Sequence, residues 1–150
     1  DNFISEIIKV YEAFGYNNIE ISYSEIVNDS TNTADLIFKI NEGDITKIKN
    51  IYFTGNKNID AETLKSIINS KTKTLINIFA NNNFKKFSIY NDERIIKNYY
   101  KNQGYIDVII DHSIEYLKSN KVNIYFSINE GNIYKIKEIS ILDNEKYFES

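Results

Sequence analysis

Apolar positions in the first fourteen residues recur at spacings of three and four: Ile4, Ile7, Ile8, Tyr11 and Phe14. An α-helix returns to the same side every 3.6 residues, so these five predict one apolar helix face. Gly15 follows, where a helix end favours a residue able to take a left-handed conformation. The period then changes to two. Ile19, Ile21 and Tyr23, and later Leu36, Phe38 and Ile40, alternate with polar residues, which predicts two strands with one wet face. A strand is expected at Ile48 to Thr54. A helix over about 60–69 comes next, with Asp60 as cap and Leu64, Ile67 and Ile68 apolar.

The second half repeats this grammar. Asn91 is placed to cap a helix whose apolar face is Ile95, Ile96, Tyr99 and Tyr100, with Asp92 and Glu93 at the positive end of its dipole. Gly104 ends it. A strand over 105–117 puts Ile106, Val108, Ile110, Ile114 and Tyr116 on one face, with His112 on the same side. Asp107, Asp111, Ser113 and Glu115 point away. Lys118 to Asn120 make a polar turn into Val122, Ile124, Phe126 and Ile128, and a further strand is expected at Ile136 to Leu142.

The glycines expose an internal repeat. Tyr11-Glu12-Ala13-Phe14-Gly15-Tyr16 corresponds to Tyr100-Lys101-Asn102-Gln103-Gly104-Tyr105. Asn41-Glu42-Gly43 recurs as Asn129-Glu130-Gly131, Lys47-Ile48-Lys49 as Lys135-Ile136-Lys137, and Asn56 as Asn144. Fixed-period self-similarity marks arrays of one structural unit. The unit reads β-α-α-β-β. The expected division is the back half of one module at 1–43, a complete module at 44–130, and the opening of a third at 131–150. Residues 71–90 stand out. Leu75, Ile76, Ile78, Phe79, Phe84, Phe87 and Ile89 are too apolar for a free loop, although Asn81-Asn82-Asn83 interrupts them. An ordered excursion with one short helix is expected there.

Composition narrows the function. The chain has 150 residues, 42% hydrophobic and 14% aromatic, enough to bury a core and too apolar for disorder. It lacks an initiator Met and a signal peptide, as expected of a segment of a longer protein. No stretch is apolar enough for a membrane-spanning helix. Absent cysteines exclude disulfides and thiolate sites, and a single histidine excludes a multi-histidine metal centre. Residues 1–43 carry a net charge of -6, residues 44–130 carry +4 and residues 131–150 carry -1. The scattered bases of the middle are not the dense stripe that nucleic acid requires, so no nucleic-acid partner is expected. No pair of carboxylates is fixed together, so no enzyme, cofactor or metal is expected.

The residues Ile51-Tyr52-Phe53-Thr54-Gly55-Asn56, Tyr99-Tyr100-Lys101-Asn102-Gln103-Gly104-Tyr105 and Ile128-Asn129-Glu130-Gly131 resemble the POTRA (polypeptide-transport-associated) pattern. Asp143 departs from it, standing where the strand-ending glycine is expected. The resemblance implies an α+β fold of tandem modules, each a three-stranded mixed sheet covered on one face by two helices. The long excursion, with Asp92 and the paired tyrosines, is most similar to the third domain of arrays that stand before an outer-membrane barrel. Residues 1–43 and 131–150 would then be second-like and fourth-like. The resemblance further implies a periplasmic location and a non-enzymatic role. The implied partners are unfolded outer-membrane proteins, accessory assembly lipoproteins, neighbouring POTRA domains and a C-terminal membrane β-barrel. Docking would occur by strand addition at the edge strand 105–117, flanked by Asp107, Ile109, Asp111, Ser113, Glu115 and Leu117.

Each feature also admits a plainer reading. The outward acids are equally the solvated face of a half-buried strand, or a guard against aggregation at an edge. His112 and the tyrosine pair read as packing residues. Glu42, Gly43, Glu130 and Gly131 read as turns first and as interdomain joints second. A POTRA array for two-partner secretion or autotransporter assembly, or a structural spacer, would carry the same signals. Residues 1–43 also lack their own first strand and helix, so a swapped or dimeric arrangement through the strand at 133–142 is a further expectation.

Overall fold

The computed structural model describes residues 2–75 and 78–140. Helix α1 (Asn2–Phe14) leads into a hairpin of β1 (Glu20–Asn28) and β2 (Thr33–Asn41). Then come β3 (Lys47–Thr54), α2 (Ala61–Ile67), α3 (Lys86–Asn102), β4 (Ile109–Leu117) and β5 (Lys121–Asn129). β1 and β2 form an antiparallel pair, and a separate three-stranded sheet has the order β3-β5-β4. In that sheet β3 runs parallel to β5 and β4 runs antiparallel to it. The second sheet with α2 and α3 is the expected β-α-α-β-β unit.

The core of this unit follows the alternation read from sequence. Val122, Ile124, Phe126 and Ile128 of the central strand meet Ile48 and Ile51 of β3 and Ile110 of β4 on one face. Leu64 and Ile68 from the α2 end, and Ile89, Ile96 and Tyr100 from α3, close over them. A central strand has neighbours on both sides, which is why β5 is the most buried strand. Asp60 caps α2 as expected, its carboxylate accepting from the Thr63 amide at 2.8 Å. Lys118 to Asn120 form the turn between β4 and β5, with Ser119 and Asn120 both at positive φ.

Several expectations are corrected. Helix α3 begins at Lys86, not at Asn91. Ile89 is fully buried and lies seven residues before Ile96, so the apolar face continues upstream of Asn91. Asp92 therefore sits inside the helix and is buried. Its carboxylate accepts the amides of Asn69 at 2.6 Å and Ser70 at 3.0 Å, tying α3 to the end of α2. Residues 105–108 form a turn before β4, which leaves Ile106 exposed. Tyr116 is exposed too, although it keeps the inner parity and meets Phe84 edge-on.

Between Lys71 and Lys85 the described residues contain no helix, and the only buried apolar side chain there is Phe84. Leu75 and Phe79 are 99% and 93% exposed. Ile76 lies outside the described residues. Residues 136–140 carry no strand, and the rest of the strand expected at 136–142 lies outside the described residues. In α1, Ile4, Ile7, Ile8 and Tyr11 are half-buried, but Phe14 is exposed.

Candidate functional site: an open sheet edge and two equivalent joints

β3 and β4 are the outer strands of the three-stranded sheet, and their surroundings differ. The start of β3 is engaged on its outer side by the end of the excursion. The Ile48 amide donates to the Asn82 carbonyl at 2.8 Å, and the Asn82 side chain donates back to the Ile48 carbonyl at 3.0 Å. Lys47 and Asn83 form an isolated antiparallel bridge. β4 pairs along its whole length with β5, and among the described residues no strand lies on its other side. Unpaired main-chain groups along an edge are a template for another strand.

The proposed flanking residues do not form a single set. Ile109, Asp111, Ser113, Glu115 and Leu117 lie in β4 on the face away from the helices. Asp107 lies in the preceding turn, and its carboxylate accepts the Tyr134 hydroxyl. It therefore belongs to the chain's exit rather than to the edge. Glu115 is also engaged. Its carboxylate accepts from Asn123 at 2.8 Å and from the Tyr125 hydroxyl at 2.7 Å, while Asn50 donates to Asn123 at 3.0 Å. The hydrogen bonds from Asn123 and Tyr125 hold the Glu115 carboxyl below its ordinary range. With Tyr52 stacked on Tyr125 at 5.0 Å, these residues form a polar and aromatic ladder across the uncovered sheet face. On the covered face His112 is half-buried, with Nδ1 2.7 Å from the Glu93 carboxylate and its ring edge-on to Tyr90. It is a packing residue.

The Asn-Glu-Gly segments occupy equivalent positions. After α1 the Gly15 carbonyl accepts the Thr46 amide at 2.9 Å, and after α3 the Gly104 carbonyl accepts the Tyr134 amide at 2.8 Å. Gly15 and Gly104 have φ of 103° and 95°, a left-handed region that side chains disfavour. A Cβ at Gly104 would also lie 2.8 Å from the Tyr134 carbonyl oxygen. In both copies the tyrosine of the helix faces the glutamate of the Asn-Glu-Gly. Glu130 is only 6% exposed. It accepts the Asn58 amide at 2.9 Å, the Asn58 side chain at 2.6 Å and the Tyr100 hydroxyl at 3.0 Å. Burial alone would raise its pKa, but these hydrogen bonds outweigh that and hold the carboxyl below its ordinary value. Burial, and then the hydrogen bond to Glu130, push the Tyr100 hydroxyl upward. Tyr11 is raised by burial and then by Glu42, whose side chain is exposed.

Sequence reasoning treated Glu130 as a turn residue and missed this clamp. The available signal was the repeat itself, which preserves the Tyr11/Glu42 and Tyr100/Glu130 pairs together. Among the described residues, no group of three or more His, Cys, Asp or Glu is placed to hold a metal ion. No helix of the described residues is long and apolar enough to cross a membrane.

The element order β-α-α-β-β and the mixed sheet β3-β5-β4 define an α+β module. The sequence model of the POTRA family, described as a surface antigen variable number repeat, matches residues 46–131, and the chain belongs to that family. The chain is 24% identical over 146 residues to the outer membrane protein assembly factor BamA of Neorickettsia risticii (strain Illinois). That match covers 97% of this chain and 20% of the relative, so the chain spans about a fifth of that protein's length. Two solved structures share the fold at 17% identity. One is Haemophilus influenzae BamA POTRA3-5, with a TM-score of 0.54 over 97% of this chain and 57% of that one. The other is Haemophilus ducreyi BamA lacking POTRA domains 1-3, with a TM-score of 0.56 over 88% of this chain and 24% of that one.

Proposed function

We propose that this chain is part of the periplasmic POTRA array of an outer-membrane protein assembly factor, a non-enzymatic docking element like the BamA relatives. In this reading residues 44–130 are a complete module of the third-domain type. Residues 1–43 and 131–150 belong to its neighbours, with Glu42, Gly43, Glu130 and Gly131 at the joints. Unfolded outer-membrane proteins or accessory assembly lipoproteins add a strand to β4, flanked by Ile109, Asp111, Ser113, Glu115 and Leu117. Main-chain hydrogen bonds read little side-chain identity, so one edge serves many clients. The observation that carries the reading is the contrast between the sheet's two edges. β3 is occupied at its start by Asn82 and Asn83, whereas among the described residues no strand lies on the outer side of β4 along its nine residues.

Because the chain has no cysteine, a single Ser113→Cys or Asp111→Cys variant carries a unique thiol. Either is expected to crosslink to an unfolded outer-membrane protein bearing an engineered cysteine, while Lys49→Cys on β3 does not. Equal crosslinking from all three positions would refute an edge-specific site. A spacer reading draws support from the first joint, where side chains brace α1 against the module. Barrel assembly unaffected by Ile109→Pro, in a module that still folds, would favour the spacer.

A further inference from the structure

The stretch from Thr63 to Asn91 contains no acidic residue and carries lysines at 65, 71, 73, 85 and 86. Lys65 pairs with Glu62, Lys86 pairs with Glu12, and Lys71 caps the carbonyl end of α2. Lys73 and Lys85 meet no acidic side chain among the described residues. Between them the chain projects Leu75, Ile78 and Phe79 into solvent, and Phe87 at the start of α3 is 82% exposed. At the base of the excursion lies a cleft of about 220 Å³ lined by Asn69, Ser70, Asn81, Asn83, Lys85 and Ser88.

That cleft opens at the first turn of α3, a helix of 17 residues whose N-cap position is Lys85, with no side-chain cap; the Ser88 amide donates to the Lys85 carbonyl at 2.9 Å. Free amides at a helix start favour an anion. A second observation points the same way. Ser70 is 7% exposed, and its buried hydroxyl oxygen has no hydrogen-bond partner. Buried hydroxyls are ordinarily satisfied, so an orphan on the wall of a polar, cationic cleft marks a place for an acceptor.

We propose that this end of the module docks on an anionic lipid surface. A headgroup phosphate seats against the start of α3, Lys85 and the hydroxyls of Ser70 and Ser88. Leu75 and Phe79 enter the headgroup boundary beside it, and Lys73 faces the same surface charge. Exposed apolar side chains flanked by lysines suit a deformable anionic interface. This site shares no residue with the β4 edge, so the two proposals stand or fall separately.

The test is flotation of the 150-residue chain with phosphatidylcholine vesicles and with vesicles containing phosphatidylglycerol. Binding is expected only to the anionic vesicles and is expected to fall with added salt. The double variant Leu75→Ser with Phe79→Ser should cut partitioning about tenfold or more. Lys85→Ala should also weaken it, and Lys118→Ala should not. All of these side chains are on the surface, and an unchanged circular dichroism spectrum checks the fold. No binding, equal binding to neutral vesicles, or unchanged binding of the double variant would overturn the proposal. Inorganic phosphate provides a separate arm. If it shifts the Lys85 and Ser88 amide resonances while anionic vesicles fail to bind, the cleft holds a free anion and the lipid proposal is wrong. If the double variant loses only its binding to an unfolded outer-membrane protein, Leu75 and Phe79 form a protein contact and the proposal is equally wrong.

Discussion

The two joints of this chain are built on the same backbone hydrogen bond but are held differently. At the first, the Gly15–Thr46 bond is one contact among many. Asn17 donates to the Phe84 carbonyl at 3.0 Å, and Asn83 donates to the Phe14 carbonyl at 3.0 Å. Asn18 and Asp44 both reach Asn120, and Glu12 pairs with Lys86 at 2.9 Å. At the second, the Gly104–Tyr134 bond is joined by the hydroxyl contact from Tyr134 to Asp107. The difference comes from residues 81–86, the returning stem of the excursion, which lies against the end of α1. The returning stem therefore gives the first joint side-chain contacts that the described residues do not show at the second. The glutamates differ in the opposite sense. Glu130 is buried and fully engaged, while Glu42 is exposed.

The largest effect should come from breaking the buried clamp. Glu130→Ala leaves the Asn58 amide and the Tyr100 hydroxyl without their acceptor and should cost about 3 kcal/mol in urea unfolding. The equivalent Glu42→Ala should leave the unfolding midpoint almost unchanged. A similar loss in both variants would show that burial does not distinguish the copies.

The same clamp sets a pH dependence. The folded Glu130 carboxyl titrates below its unfolded value, so its contribution is present above the ordinary carboxylate range and is lost as pH falls through the lowered folded value. Wild-type stability should therefore fall more steeply than that of Glu130→Gln below about pH 4.3. The raised Tyr100 hydroxyl acts in the other direction. Its contribution is present below the ordinary tyrosine value and is lost as pH rises through the folded one. Tyr100→Phe should flatten that alkaline decline.

A smaller effect on stability, but a distinct one on shape, is expected from the brace. Asn17→Ala with Asn83→Ala should cost about 1 kcal/mol per lost hydrogen bond. It should also broaden the orientation of α1 and its hairpin relative to the module, measured by residual dipolar couplings. An unbroadened distribution would mean that the linker alone sets the angle. The least effect belongs to Lys86→Ala, because a half-exposed ion pair contributes about 0.5 kcal/mol or less.

The repeat and most of the β-α-α-β-β order were legible because they rest on local signals. Examples are the Tyr-x-x-x-Gly-Tyr helix ends, the Asn-Glu-Gly turns and the alternation of Val122 to Ile128. The start of α3 was misread for a physical reason. Asn91-Asp92-Glu93 has the chemistry of a helix cap, while the true start at Lys85-Lys86 has no capping side chain. Asp92 is polar because it binds backbone amides from another element, something periodicity does not encode. The asparagines at 81–83 looked like an interruption, yet Asn82 and Asn83 are what attach the excursion to β3 and α1. For the edge, the alternation of β4 was readable in advance. That Asp107 faces the exit and Glu115 is tied across the sheet was not, since both depend on neighbours distant in sequence.

In the proposed function β4, and not β3, is the receptive edge. Amide hydrogen exchange of the chain, with and without an unfolded outer-membrane protein held in urea-free buffer, tests it most directly. Slowed exchange within residues 109–117 is expected on addition of the client, with 47–54 unchanged. Protection confined to 47–54, or to neither strand, would contradict it.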